Sequence, residues 1–195
     1  MAAYRTLETV LDVPFSYAEL FETAVNGIRS QNELAQESSE VADFWSMLQG
    51  FQTSGKCVDK AHYRIRYMKS FRPISVKEDM EFKEARPILY LNMAAVASLF
   101  NSRNMNATAN RSNWSTIMSY LKSHSSYLGL KQDRFTILLP SGLPDYSIEI
   151  VNNEQVRKVK VNRPKALCFD YLQLKEAFGL ELETEVITDV QDSED

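Results

Sequence analysis

The chain has 195 residues, 44% of them hydrophobic and 25% charged, which is ordinary for a folded globular protein. It has no apolar run near the roughly 18 residues of a membrane span and no secretory signal, so we expect a cytoplasmic protein. The net charge of −4 hides a split: residues 85–180 carry 12 Lys and Arg against 6 Asp and Glu, whereas residues 181–195 carry 7 acids and no base. A basic module of this kind is the usual electrostatic footprint of nucleic-acid binding, and we expect the acidic end, 181–195, to be a disordered tail.

Two helices are predicted in the first part of the chain. Ser16 and Glu19 have the spacing of a capping box, and apolar residues follow at helical intervals to about residue 36. The polar run 36–40 is expected to end this helix. Apolar residues on one face then indicate a second helix that stops before Gly55. Helical spacing predicts a core role for Trp45 in this helix, and likewise for Trp114, rather than base stacking. Two helices joined by a short polar turn would form an αα-hairpin.

The pattern changes after these helices. Tyr63, Ile65 and Tyr67 alternate with His62 and two arginines, which predicts a strand with one basic face. Residues 71–84 are expected to be an irregular or partly extended connector, and Arg86–Pro87 marks the predicted domain boundary. Residues 1–85 are therefore interpreted as a helical αα-hairpin plus strands.

Residues 86–180 predict strands and helices in a definite order. A strand over 88–91 leads into a helix capped by Asn92, and a second helix starts behind Asn113, with Gly129 as a later breaker. Strands over 135–139, 146–151 and 166–169 follow, and a helix over 171–178 closes the unit. This order predicts an α+β protein whose second part, 86–180, is a winged-helix-like basic domain.

Three patterns typical of enzymes or metal proteins lack the context they need. Residues 50–56 match the phosphate-binding G-x4-G-K pattern, but a helix precedes them and Cys57 stands where a magnesium-binding hydroxyl is required. Cys57 and His62 have no second ligand pair for zinc, so both cysteines are expected to be free buried thiols. With two histidines and no nucleophile elbow, we expect no catalysis, no metal and no cofactor.

The basic residues instead favour DNA. Five bases fall within 157–165, on or beside a predicted hairpin, and others surround the helix that starts at Trp114, where they would neutralise phosphates. If that helix buries Ile117, Met118 and Leu121, its other face is polar and suits phosphate oxygens and base edges. The alternative to DNA binding is an ordinary solvent-exposed helix face beside a soluble hairpin. The candidate DNA-binding residues are Arg111, Asn113, Ser115, Thr116, Ser119, Lys122, Lys131, Arg134, Arg157, Lys158, Lys160, Arg163 and Lys165.

Four segments carry a resemblance that covers most of residues 40–180. They are Phe44–Leu48 with the following Gly55 and Tyr63–Ile65; Ile88–Leu91 leading into Val96–Phe100; Tyr120–Lys131 with Arg134–Phe135; and Ala166–Tyr171. In these the chain resembles the C-terminal region of primase–helicase replication proteins carried by phages and integrative mobile elements of gut bacteria. The region 135–165 departs from the family in its length.

The resemblance implies a non-catalytic accessory module of a DNA replication protein, either part of a longer polypeptide or a stand-alone version. The family's primase and helicase motors lie upstream of such a module, and none of their motifs occurs here. We expect contact mainly with DNA phosphates, and neither a membrane nor a small-molecule substrate. The alternative is a docking module that binds a helicase or primase motor domain or dimerises. The acidic tail could also occupy the basic face and inhibit DNA binding.

Overall fold

The computed structural model describes residues 16–104, 113–151 and 154–184. Within them the chain is a mixed α+β protein with antiparallel sheets, which confirms the predicted fold class at this level. The helices are α1 (Tyr17–Thr53), α2 (Met93–Asn104), α3 (Trp114–Ser123) and α4 (Tyr171–Phe178). The strands are β1 (Tyr63–Phe71), β2 (Met80–Asn92), β3 (Tyr127–Gln132), β4 (Phe135–Thr136), β5 (Tyr146–Val151), β6 (Glu154–Val159), β7 (Val161–Asn162) and β8 (Lys165–Asp170).

Helix α1 begins at the predicted capping box. The Ser16 amide donates to Glu19 Oε2 at 2.7 Å, and the Glu19 amide donates to Ser16 Oγ at 3.3 Å. The predicted αα-hairpin is wrong, because the helix continues through residues 36–40 to Thr53. That segment is Gln, Glu and Ser without Gly or Pro, and such residues are polar yet compatible with a helix, so polarity alone does not end it.

The main sheet has four strands in the order β1–β2–β8–β3, all antiparallel. The predicted domain boundary at Arg86–Pro87 is wrong, because it falls inside β2. Arg86 Nη1 also lies 2.9 Å from Asp170 Oδ2, which ties this point to the end of β8. The chain divides instead into two compact units at Val41–Ala42, within α1.

One face of this sheet packs against helices. The rings of Trp45 and Phe169 meet edge to face at 5.2 Å between centroids, and Phe44 lies 6.5 Å from Phe100 and 6.2 Å from Trp114. Aromatic pairs in this geometry add to the free energy gained from apolar burial. Helical spacing had predicted a core role for Trp45 and Trp114, and these contacts confirm it.

The other face of the sheet has its own small core. Ile88, Tyr90, Ala166 and Cys168 are buried there together with Phe71 and Phe135. Part of the predicted connector covers this face, since Pro73 is buried and the Ile74 amide donates to the Leu130 carbonyl at 2.9 Å. The connector is partly extended, as predicted, because residues 80–84 belong to β2.

The segment between β3 and β8 folds back on itself as a long hairpin. Strands β4 and β7 pair next to the main sheet, and β5 pairs with β6 farther along. The predicted strand over 135–139 is reduced to residues 135–136, and Leu138 makes only an isolated bridge to Pro144. The predicted strands over 146–151 and 166–169 and the helix over 171–178 are confirmed.

The start of the acidic end is packed rather than disordered. Leu180 and Leu182 are buried, and the Leu182 amide donates to Tyr171 Oη at 2.8 Å. The Tyr63 hydroxyl donates to the Glu183 carbonyl. The prediction of a tail from residue 181 is therefore wrong for 181–184, and residues 185–195 lie outside the described residues.

Gly129, predicted to act only as a breaker, lies inside strand β3 with φ +132°. A Cβ atom there would lie 2.5 Å from Pro73 Cβ. We expect Gly129→Ala to lower the free energy of unfolding by about 2 kcal/mol or more, because the side chain meets both a clash and a strained backbone. Urea denaturation measures the change.

The matched control is Gly50→Ala in helix α1, where a Cβ would meet nothing within 4 Å. Since alanine favours helix over glycine, this variant should be more stable by about 0.5–1 kcal/mol. Equal effects of the two substitutions would contradict the close packing of Pro73 on Gly129.

Candidate nucleic-acid interface

Helix α3 presents the polar face that the sequence predicted. Ile117, Met118 and Leu121 are buried. Asn113 caps the helix, since its Oδ1 accepts from the Thr116 amide at 2.9 Å and from the Thr116 hydroxyl at 3.1 Å. The Ser115 hydroxyl also donates to Asn113 Oδ1, so the capping residues are largely engaged with one another.

Because these capping side chains bond to one another, fewer polar groups of α3 are free to bind a ligand. Ser115, Ser119 and Lys122 are exposed and lie at positions i, i+4 and i+7, which place them on one side of the helix. Thr116 is half-buried. The structure therefore leaves Ser119 and Lys122 as the α3 residues best placed for contact with a phosphate.

The lysines of the β5–β6 hairpin form ion pairs with acids on the facing strand or beside it. Lys158 Nζ lies 3.2 Å from Glu149 Oε2, and Lys160 Nζ lies 2.8 Å from Asp145 Oδ2. All four side chains are at least partly exposed, so each pair contributes little to stability. The pairs nevertheless lower the positive potential of the hairpin. This potential is therefore weaker than the count of five bases within 157–165 predicted.

One face of this hairpin is apolar and exposed. The register places Tyr146, Ile148 and Ile150 on the same side as Val159 and Arg157. Ile148 and Ile150 are 70% and 74% exposed. The Arg157 guanidinium lies over the Tyr146 ring, 4.1 Å from its centroid.

Three further predicted bases lie at the root of the hairpin in the strand register, and we call Arg134, Arg163 and Lys165 the basal cluster. Residues Arg134 and Arg163 flank the β4–β7 pair, and Lys165 faces Gln132 at the end of the β3–β8 ladder. All three side chains are exposed, and none forms an ion pair with another described residue. This cluster is the most available positive charge among the predicted residues.

Other bases have structural roles. Lys131 is half-buried, with Nζ 5.2 Å from the centroid of the Phe71 ring. Arg66, on the predicted basic face of β1, pairs with Asp133 at 2.9 Å, and Arg64 donates to the Arg134 carbonyl at 2.9 Å. The basic face of β1 thus holds the β3–β4 connection in place. Arg111 lies outside the described residues.

Sequence reasoning missed the apolar face of the hairpin as a functional feature. The signal was present, because Tyr146, Ile148 and Ile150 alternate with polar residues over β5. Such alternation normally predicts one buried face, and only the tertiary structure shows that the face of these residues is left uncovered by the described chain.

The segments that looked catalytic have simple structural roles. Residues 50–56 are the end of helix α1 and the turn after it, with Gly55 at φ +73° and the Lys56 amide donating to the Phe51 carbonyl at 2.8 Å. In the described part of the chain, no three His, Cys, Asp or Glu side chains come together as metal ligands. No described helix is long and apolar enough to cross a membrane.

Comparison of the chain with protein-family models, with curated proteins and with solved structures yields no match.

Both cysteines are buried and free, as predicted. Burial and the charge of Asp59 raise the pKa of Cys57 to about 12, and burial raises the pKa of Cys168 as well. Since only the thiolate reacts, we expect no modification by Ellman's reagent at pH 8 in the folded protein and full modification in about 6 M guanidinium. Rapid reaction of either thiol under native conditions would contradict the burial of both.

Proposed function

We propose that the protein is a non-catalytic DNA-binding module that positions DNA mainly through its phosphates. The observation that carries this proposal is the basal cluster: three exposed bases, without ion-pair partners among the described residues, at the root of a projecting hairpin. Lysine and arginine side chains presented in this way bind phosphate oxygens and release counterions.

The order of elements supports a winged-helix-like arrangement as part of the proposal. Strand β2 leads into α2 and α3, and β3 and β8 then return with the hairpin between them. The sheet order β2–β8–β3 places the first strand beside the last. In helix-turn-helix proteins the second helix of such a pair enters the major groove, and α3 holds the corresponding position.

The sequence resemblance to the terminal region of mobile-element primase–helicase proteins supports a role in DNA replication, as an accessory to a motor domain. In this proposal α3 contributes Ser119 and Lys122, the basal cluster contacts phosphates, and the hairpin acts as the wing. Little base readout is expected, because contacts to phosphates carry no direct sequence information.

The triple variant Arg134→Gln/Arg163→Gln/Lys165→Gln tests the basal cluster. Fluorescence anisotropy of labelled single-stranded, duplex and forked DNA is measured over a salt series. Each lost phosphate contact should make the slope of log K against log salt less negative by about 0.9 on duplex DNA, or nearly 3 for the triple variant. The preferred DNA form is the one that the wild-type protein binds most tightly.

The matched control is Lys175→Gln, which removes an exposed base on α4 that pairs with Glu181 at 3.3 Å. Its slope should equal that of the wild-type protein. The proposal fails if the folded wild-type protein binds none of the three DNA forms at low salt, or if the triple variant keeps the wild-type slope.

The ion pairs of the hairpin give an independent prediction. The variant Asp145→Asn/Glu149→Gln keeps side-chain size but frees Lys160 and Lys158 from their partners. If the hairpin contacts DNA, the affinity at low salt should rise by roughly threefold or more, because two like charges facing the phosphates are gone. An unchanged affinity would show that the lysine side of the hairpin points away from DNA.

The exposed apolar face of the hairpin favours a second candidate, a protein-docking module that binds a helicase or primase motor or a second copy of the chain. The variant Ile148→Ser/Ile150→Ser separates the two. Loss of self-association in light scattering, with DNA affinity unchanged, would favour docking. If the protein is monomeric and the variant binds DNA more weakly, Ile148 and Ile150 contact DNA instead.

A further inference from the structure

The first part of helix α1 carries an apolar stripe that is open to solvent. Val25 and Ile28 are 37% and 61% exposed, and Phe21, one turn before Val25, is 50% exposed. Between residues 18 and 35 no side chain is fully buried. This stretch therefore gains little stability from apolar burial within the described chain.

Local propensity does not hold this stretch in a helix either. Gly27 costs about 1 kcal/mol relative to alanine in a helix interior, and its neighbours Asn26 and Ile28 are only moderate helix formers. Isolated helices are marginal in water, and most helical stability in proteins comes from packing an amphipathic face. A helix that continues through residues 18–35 therefore needs a partner for its apolar stripe.

The stripe has the spacing of a coiled-coil seam. Phe21, Val25 and Ile28 are separated by four and then three residues, which places Val25 at an a position and the other two at d positions of a heptad. A stripe confined to a and d positions is narrow and matches one partner helix. The seam within this stretch consists of six exposed residues: Ala18, Phe21, Val25, Ile28, Asn32 and Ala35.

The charges beside the seam indicate which helix the partner is. Arg29 is the only base in residues 16–41, and it forms no ion pair with another described residue. Glu22 lies seven residues before Arg29, so both occupy e positions, next to the seam. The other acids of this stretch lie at outer positions of the heptad: Glu19, Glu33, Glu37 and Glu40.

Two copies of this helix are complementary when they run in opposite directions. If Val25 lies opposite Ile28 of the partner subunit, Glu22 lies within about 3 Å of Arg29 of the partner subunit along the helix axis, at 1.5 Å per residue. The two-fold axis repeats this contact, which gives two ion pairs. A parallel pair in register would instead set Arg29 against Ala24, without any ion pair.

We infer that residues 18–35 of α1 pair with the same helix of a second copy of the chain as an antiparallel coiled coil. Val25 and Ile28 form the centre of the interface, and Glu22 and Arg29 fix its direction. None of the proposed DNA-binding residues lies within 18–35, so this pairing and the proposed DNA interface can be tested separately.

Sedimentation velocity of the full chain measures the pairing over roughly 1–500 µM protein. The wild-type protein should reach twice the 22.4 kDa mass of one chain. Val25→Asp/Ile28→Asp places charges in the seam and should leave a monomer. The matched control, Thr23→Asp/Ser30→Asp, adds the same charges at exposed positions outside the seam and should remain dimeric.

Amide hydrogen exchange shows whether the monomeric variant is still folded. The strands β2 and β8 should keep the protection that they have in the wild-type protein. Residues 18–35 should exchange faster, because the helix has lost the partner that stabilises it.

Reversal of charge tests the direction of the two helices. Glu22→Arg sets arginine against Arg29 of the partner subunit at both contacts, so the Kd of pairing should rise about tenfold. Glu22→Arg/Arg29→Glu restores opposite charges and should return the Kd to near the wild-type value. A double variant that pairs as weakly as Glu22→Arg overturns the antiparallel arrangement.

Two further results overturn the pairing itself. One is a wild-type protein that stays monomeric up to about 0.5 mM. The other is a Val25→Asp/Ile28→Asp variant that pairs as tightly as its matched control. If Ile148→Ser/Ile150→Ser abolishes self-association and the seam variant does not, the interface lies on the hairpin instead.

Discussion

Burial of strand β8 on both of its faces is the constraint on which the rest of the structure depends. It pairs with β2 on one side and β3 on the other, and its residues from Ala166 to Asp170 are all buried. A strand with both edges paired and both faces covered must be almost wholly apolar. Its one buried charged residue, Asp170, stands at the end, where it caps α4 through the Leu172 and Gln173 amides and pairs with Arg86.

The same strand fixes where the hairpin starts, because β3 and β8 leave the sheet side by side and continue into β4 and β7. The hairpin beyond this root has no helix or third strand on its faces in the described chain, and a two-stranded hairpin is only marginally stable in water. The β5–β6 ladder joins the two strands. The exposed Lys–acid pairs and the stacking of Arg157 on Tyr146 add little stability, but they make these charges less available to a ligand than the basal cluster is.

The root of the hairpin holds the exposed cations of the basal cluster. Exposed cations attract phosphates over a distance set by salt. Arg134 and Arg163 are the chain neighbours of the paired residues Phe135 and Asn162, so strand pairing at β4–β7 positions the cluster.

The sequence by itself determined the local features: the capping box at Ser16, the buried face of α3, the α+β class, the basic character of residues 85–180, and Trp45 and Trp114 as core residues. These follow from spacing within a few residues of one another. Only the tertiary structure decided that α1 is continuous, that β2 crosses Arg86–Pro87, and that Lys158 and Lys160 are paired with acids. Strand pairing and ion pairing depend on partners distant in sequence, and the continuity of α1 depends on the lack of a strong helix breaker. The hydrophobic periodicity of a single segment encodes neither.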